Sequence, residues 1–158
     1  MRPKMLFIAI ALSIAPASQL MAGEVSVERG LYVSIIGGCH DCHTEGYSER
    51  EGLINPSKAM KGSSIGWRGP WGTTYPANLR LTVSTRDEAQ FVAYMKGLLT
   101  LPPMPWYNVD RMEESDLRSL YQYIKSLGEP GLPAPPNVSQ GEPSTPYITI
   151  EPLTQPKS

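Results

Sequence analysis

The sequence predicts an all-α body with three main helices and long Gly/Pro loops, followed by an extended Pro-rich C-terminal tail. Three observations carry that expectation. Apolar residues recur at helical spacing in three separated segments, no two strand-like runs are joined by hairpin chemistry, and prolines crowd the far end. Of 158 residues, 41% are hydrophobic and 18% charged, a globular composition with room for one domain plus tails. Fourteen basic residues against 15 acidic ones leave a net charge of −1, which excludes a nucleic-acid binder working through a basic face. No internal apolar run approaches the roughly 20 residues that cross a bilayer.

Residues 1–22 read as a secretory signal. Arg2 and Lys4 precede the apolar stretch Met5 to Ala15, and small residues follow. Ala15-Pro16-Ala17 fits the A-x-A pattern, but cleavage after Ala22 is preferred, because Glu24 then opens the first periodic segment. Export to an oxidising compartment, the periplasm, is the expectation. A body over 23–128 and an extended tail over 129–158 complete the layout.

In the first helix Val27, Leu31 and Ile35 stand four apart, as do Glu28, Tyr32 and Ile36, and the apolar members make one wide face. Gly37-Gly38 ends it. The second opens at Thr85, where Thr85-Arg86-Asp87-Glu88 reads as a capping box, and continues through Phe91, Tyr94, Met95 and Leu98. The third carries Glu113, Glu114 and Asp116 at the positive end of its dipole. Its stripe is Leu117, Leu120, Tyr121, Ile124 and Leu127, closed by Gly128 and Pro130. The tail holds eight prolines between Glu129 and Ser158, which forbids a helix. Tyr147-Ile148-Thr149-Ile150 is its one stretch able to dock on the body.

Residues 44–84 contain nine glycines or prolines, with Trp67, Trp71 and Tyr75 among them. A loop of about 40 residues without regular structure needs something to wrap, here a large apolar cofactor. Cys39-His40-Asp41-Cys42-His43 is C-x-x-C-H, the attachment signature of a c-type haem. Two thiols three residues apart reach the two vinyl groups on one side of the macrocycle, and the next histidine then lies beneath the iron. Cys39 and Cys42 would form thioether bonds to one haem c, and His43 would be the proximal ligand. A zinc site needs four well-spread donors, and a redox dithiol needs a βαβ setting; neither is present. A local disulfide stays open.

His40 lies inside the attachment loop and cannot reach the other haem face, which leaves methionine as the sixth ligand. Met1, Met5 and Met21 belong to the signal, Met60 to a polar loop, Met95 to a core face and Met112 to a helix start. Met104, in Leu101-Pro102-Pro103-Met104-Pro105-Trp106, is held in a stiff extended segment that presents its side chain at small entropic cost. The other reading of Met104 is an apolar loop residue.

With these motifs in place the chain resembles a class I monohaem cytochrome c over Glu24 to Leu127. More narrowly, Pro70-Trp71-Gly72-Thr73-Thr74-Tyr75-Pro76-Ala77-Asn78-Leu79 is similar to a stretch in the haem c domains of periplasmic alcohol and gluconate dehydrogenase cytochrome subunits. So are Met104-Pro105-Trp106-Tyr107 and the run Ser115 to Tyr121. Those subunits usually hold three haem domains and a C-terminal membrane helix, whereas one attachment motif and no such helix are expected here. The resemblance implies closely crossing first and last helices, with Gly30 as the gap and Leu120 or Tyr121 filling it. It implies a proline carbonyl, that of Pro70, accepting the second N–H of His43. Arg68, Trp71, Tyr75 and Asn78 are candidate donors to the haem propionates, each also readable as ordinary loop structure.

His/Met ligation fills both axial positions, so single-electron transfer is expected rather than enzyme catalysis. The implied partners are a dehydrogenase donor and a cytochrome or oxidase acceptor. Two rivals stand beside a free carrier. One is a fixed redox subunit tethered by the tail. The other is a five-coordinate haem sensor or enzyme, disfavoured because cytochromes c′ carry the motif near the C-terminus.

Overall fold

The computed structural model describes residues 23–151. The expected signal segment lies outside them. The element order is α1 (Val27–Ile36), α2 (Cys39–His43), a 3-10 turn (Ser48–Arg50), β1 (Gly66–Gly69), β2 (Gly72–Thr74), α3 (Leu79–Ser84), α4 (Glu88–Lys96), α5 (Trp106–Asp110), α6 (Glu114–Ser126) and β3 (Tyr147–Thr149). Among these residues no helix is long and apolar enough to cross a membrane.

The Ser26 hydroxyl accepts from the Arg29 N–H at 3.1 Å and starts α1. The helix crosses α6 at Gly30, where a Cβ would lie 2.0 Å from the Ser119 carbonyl oxygen and 2.6 Å from Tyr123 Cβ. The crossing partners are therefore Ser119 and Tyr123, not Leu120 or Tyr121. Positions 119 and 123 share one face of α6, while Leu120 faces a cleft and Tyr121 packs on Phe91. Such a close crossing also narrows the buried face of α1 to Gly30, Val33 and Ser34. Tyr32, Ile35 and Ile36, expected inside, are exposed by 51%, 45% and 63%.

The second long helix is capped two residues later than expected. Asp87 accepts from Gln90 N–H at 2.8 Å and the Gln90 side chain accepts from Asp87 N–H at 3.0 Å. The Thr85 hydroxyl instead bonds back to the Leu81 and Thr82 carbonyls, closing the short α3 that sequence periodicity did not reveal. Glu88 pairs with Arg118 at 2.6 Å rather than completing a cap.

The body is helix-rich but carries a small sheet of order β2-β1-β3, which corrects the all-α expectation. β1 and β2 pair antiparallel, Trp67 against Thr74, and β3 of the tail adds parallel to β1, Trp67 against Ile148. These strands are three or four residues long, β1 and β2 contain glycine, and all are too short for alternation to register.

The core joins α3, α4, α5 and α6 through Val83, Phe91, Met95, Val109, Leu117 and Ile124, all buried. Met60 is fully buried within it rather than in a polar loop, at φ 58°, and its carbonyl accepts from Leu79 N–H at 2.9 Å. Arg80, 4% exposed, organises the long loop from inside: its guanidinium donates to the carbonyls of Pro56, Ala59, Leu127 and Glu129.

Candidate functional site

Gly38, left-handed at φ 68°, turns the chain from α1 into α2. Both cysteines of α2 are unpaired. Burial pushes the Cys39 thiol up to about 11 and raises that of Cys42, so both stay protonated at neutral pH and make poor redox nucleophiles. Among the described residues no group of three or more His, Cys, Asp or Glu side chains can hold a metal ion.

Cys39, Cys42 and His43 open onto one cleft that is partly open to solvent. Met104 lines the same cleft, with apolar walls from Leu79, Met95, Leu98 and Leu120. None of the lining residues is an Asp, Glu, Lys or Arg.

His43 donates from Nδ1 to the Ala77 carbonyl at 2.7 Å, and its Nε2 makes no hydrogen bond among the described residues. Burial lowers its pKa and the Ala77 bond partly opposes this, so the ring is a neutral base with one lone pair free. The acceptor is thus Ala77, not Pro70, which sits exposed in the β1–β2 turn. The reason is a close chain approach. Gly62 N–H bonds the His43 carbonyl at 2.9 Å, and a Cβ on Gly62 would lie 2.4 Å from the Pro76 carbonyl oxygen. The Pro76-Ala77 backbone can pass over the end of α2 only because residue 62 is glycine.

His40 is not part of the cleft wall. It is fully buried, with Nδ1 2.7 Å from Thr44 Oγ1 and Nε2 3.1 Å from Tyr123 Oη.

The four candidate polar residues separate. Tyr75 lines the cleft, its hydroxyl 2.7 Å from Thr145 Oγ1. Asn78 instead caps α3, accepting from Leu81 N–H at 3.2 Å and donating to the carbonyls of Pro130 and Leu132. Arg68 pairs with Glu142 at 2.9 Å and lies over the Tyr147 ring. Trp71 is not in the cleft wall: its ring folds against Gly69, leaving a buried Nε1–H without a protein partner.

The cleft also holds residues that sequence reasoning missed, namely Trp67, Met112 and Asn137. Trp67 gave a signal, as an aromatic in a glycine-rich loop. Asn137 gave none, because it arrives only through pairing of the tail with the body.

An uncharged cleft with two thiols on one helix, an imidazole nitrogen left free and a thioether in the wall fits a c-type haem. No protein-family model matches the chain, and no solved structure matches it. Two curated relatives do, both named as cytochrome c subunits of quinone alcohol dehydrogenase, from Gluconacetobacter polyoxogenes and Komagataeibacter europaeus. Each is 31% identical over 147 aligned residues, covering 82% of this chain. The chain spans 29% of the length of each relative. It is thus a homologue of these subunits over 82% of its length, and resembles a cytochrome c domain of the kind their name describes.

Proposed function

We propose that the chain is an exported c-type cytochrome that carries single electrons between a periplasmic dehydrogenase and a downstream cytochrome or oxidase. The observation that carries this reading is the convergence of Cys39, Cys42, His43 and Met104 on one apolar cleft without a charged side chain. Cys39 and Cys42 would hold haem c as thioethers, with His43 and Met104 as its axial ligands in a class I arrangement. The bound haem supplies a one-electron couple whose potential His/Met ligation raises.

The chain's own residues account for the rest. Ala77 fixes the tautomer and rotation of His43 and increases its basicity. Leu79, Leu98 and Leu120 keep water from the cleft floor. Three methionines line the cleft, Met95, Met104 and Met112. Met95 is 4% exposed and packed into the core. Met112 sits at the attachment edge, its methyl and Cys39 Sγ both beside Gly37. Met104, half-buried between Pro103 and Pro105, is the one presented from a separate stiff segment.

A second reading, a redox subunit of an oxidoreductase complex, is favoured by the name of the relatives. The exposed apolar stripe Tyr32, Ile35 and Ile36 on α1 offers it a docking face. In either case the role is electron transfer rather than catalysis. The test is maturation with the cytochrome c assembly machinery, followed by mass measurement and oxidised and reduced spectra. One covalent haem with a low-spin reduced spectrum is expected. A high-spin spectrum that shifts with carbon monoxide overturns the carrier reading. Co-purification with a catalytic subunit separates the fixed subunit from the free carrier.

A further inference from the structure

The proline-rich tail does not merely lie on the body but enters the wall of the cleft. Asn78 holds the Pro130 and Leu132 carbonyls at 2.7 and 2.9 Å. Farther on, Thr73 and Val138 exchange both backbone bonds, at 2.7 and 2.8 Å. Gly72 permits that approach: at φ 99°, a Cβ there would lie 2.4 Å from the Val138 carbonyl oxygen. These contacts set Asn137 in the cleft wall beside Tyr75.

The Asn137 side chain is oriented by what it touches. Its Oδ1 accepts from the Tyr75 backbone N–H at 2.9 Å. A backbone N–H can only donate, so the oxygen end of the amide faces Tyr75 and the Nδ2 end is the other one. Nδ2 carries two N–H groups with no partner among the described residues.

We infer that Asn137 is a cofactor-binding residue contributed by the tail, its Nδ2 donating to a carboxylate at the edge of the group held in the cleft. This rests on the haem reading above, since haem c carries two propionates. The cleft has no lysine or arginine to meet them, so neutral donors must serve. The Thr74 hydroxyl already donates to the Pro102 carbonyl at 2.6 Å, and the Tyr75 hydroxyl is shared with Thr145. Trp67, Tyr94, Thr100 and Asn137 keep free donors. Among these, Asn137 offers two N–H groups on a side chain whose other end is pinned to the wall. Of the charged groups in the neighbouring elements, Arg68 of β1 and Glu142 of the tail pair with each other, and Arg86 lies over the ring of Tyr94 at 4.3 Å. The titratable lining groups are His43, Tyr75, Tyr94 and the two cysteines.

The experiment measures the reduction potential of the matured full chain against pH, for wild type, Asn137→Ala and Asn137→Asp, with the haem spectrum as a control. Asn137→Ala removes both the donor and the Tyr75 bond. Asn137→Asp keeps an acceptor for Tyr75 N–H but places an anion where the donor stood. The pH at which the potential changes is expected to rise by about one unit in Asn137→Ala, and further in Asn137→Asp. The spectrum should not change. An unchanged profile in Asn137→Ala overturns the inference. So does a rise confined to Asn137→Ala, which assigns the effect to a loosened Tyr75. Wild-type protein that matures without covalent haem overturns the haem reading, and this inference with it.

Discussion

His43 Nδ1 and the Ala77 carbonyl oxygen stand 2.7 Å apart, joining residues 34 positions distant in the chain. Since a carbonyl can only accept, the ring proton is on Nδ1 and the Nε2 lone pair is free for a metal. An imidazole held this way cannot rotate to present its other nitrogen, so the remaining variable at the proposed iron is the ligand from the other side.

Met104→Ala in the matured protein is expected to abolish the weak sulfur-to-iron band of the oxidised state and to lower the reduction potential. Met112→Ala, at the attachment edge, is expected to leave the band in place. Optical titration of both variants checks this. The opposite pattern would transfer the ligand role to Met112.

Arg80 is a buried cation satisfied by main-chain carbonyls alone. Arg80→Met leaves those carbonyls unpaired and is expected to cost about 3 kcal/mol of stability. Arg80→Lys keeps the charge but not the planar fork, and is expected to cost about 2 kcal/mol. Denaturant unfolding of the holoprotein measures both. A neutral result for Arg80→Met would show that the loop over Pro56 to Leu79 is held by other contacts.

Burial, with a smaller contribution from His43, holds the His40 pKa down to about 4 against an ordinary 6.5. As pH falls from 6.5 towards 4, the unfolded chain takes up a proton at His40 that the folded chain refuses. The unfolded state therefore binds more protons, and stability is lost across that window. His40→Gln retains hydrogen-bonding groups for Thr44 and Tyr123 but does not titrate. Its stability should fall less steeply between pH 6.5 and 4, by up to about 1.4 kcal/mol per pH unit. Parallel slopes for the two proteins in thermal melts would remove His40 as the source.

Gly30, inside α1, and Gly97, the C-cap of α4, should respond unequally to alanine. At Gly30 a Cβ would lie 2.0 Å from the Ser119 carbonyl oxygen, so α1 and α6 must separate, at a cost of about 3 kcal/mol. At Gly97 the nearest atom to an added Cβ is the Ala93 carbonyl oxygen at 3.5 Å, an ordinary contact. Gly97→Ala should change stability by less than about 1 kcal/mol. Melting temperatures of the two variants, measured side by side, decide it.

Much of the local structure was legible in the residues themselves. The bounds of α1, the stripe of α6 and the grouping of Cys39, Cys42 and His43 follow from spacings of a few residues, which helical geometry turns directly into positions in space. The segment 44–84, read from the sequence as a loop without regular structure, instead carries the 3-10 turn, β1, β2 and α3.

What the spacing could not supply was which distant segments meet. Ala77 rather than Pro70 faces His43 because Gly62 lets one backbone cross another. Ser119 rather than Leu120 meets Gly30 because a rotation of one residue on a helix decides which side chain is at the crossing. The tail joins β1, and Asn137 reaches the cleft, through main-chain bonds between extended segments. Main-chain groups are the same in every residue except proline and leave almost no pattern in a sequence. The local spacings by themselves determined the three longer helices, α1, α4 and α6, and the thiol–imidazole cluster. The tertiary structure decided everything that depends on one backbone meeting another, the partner of His43 and the far wall of the cleft included.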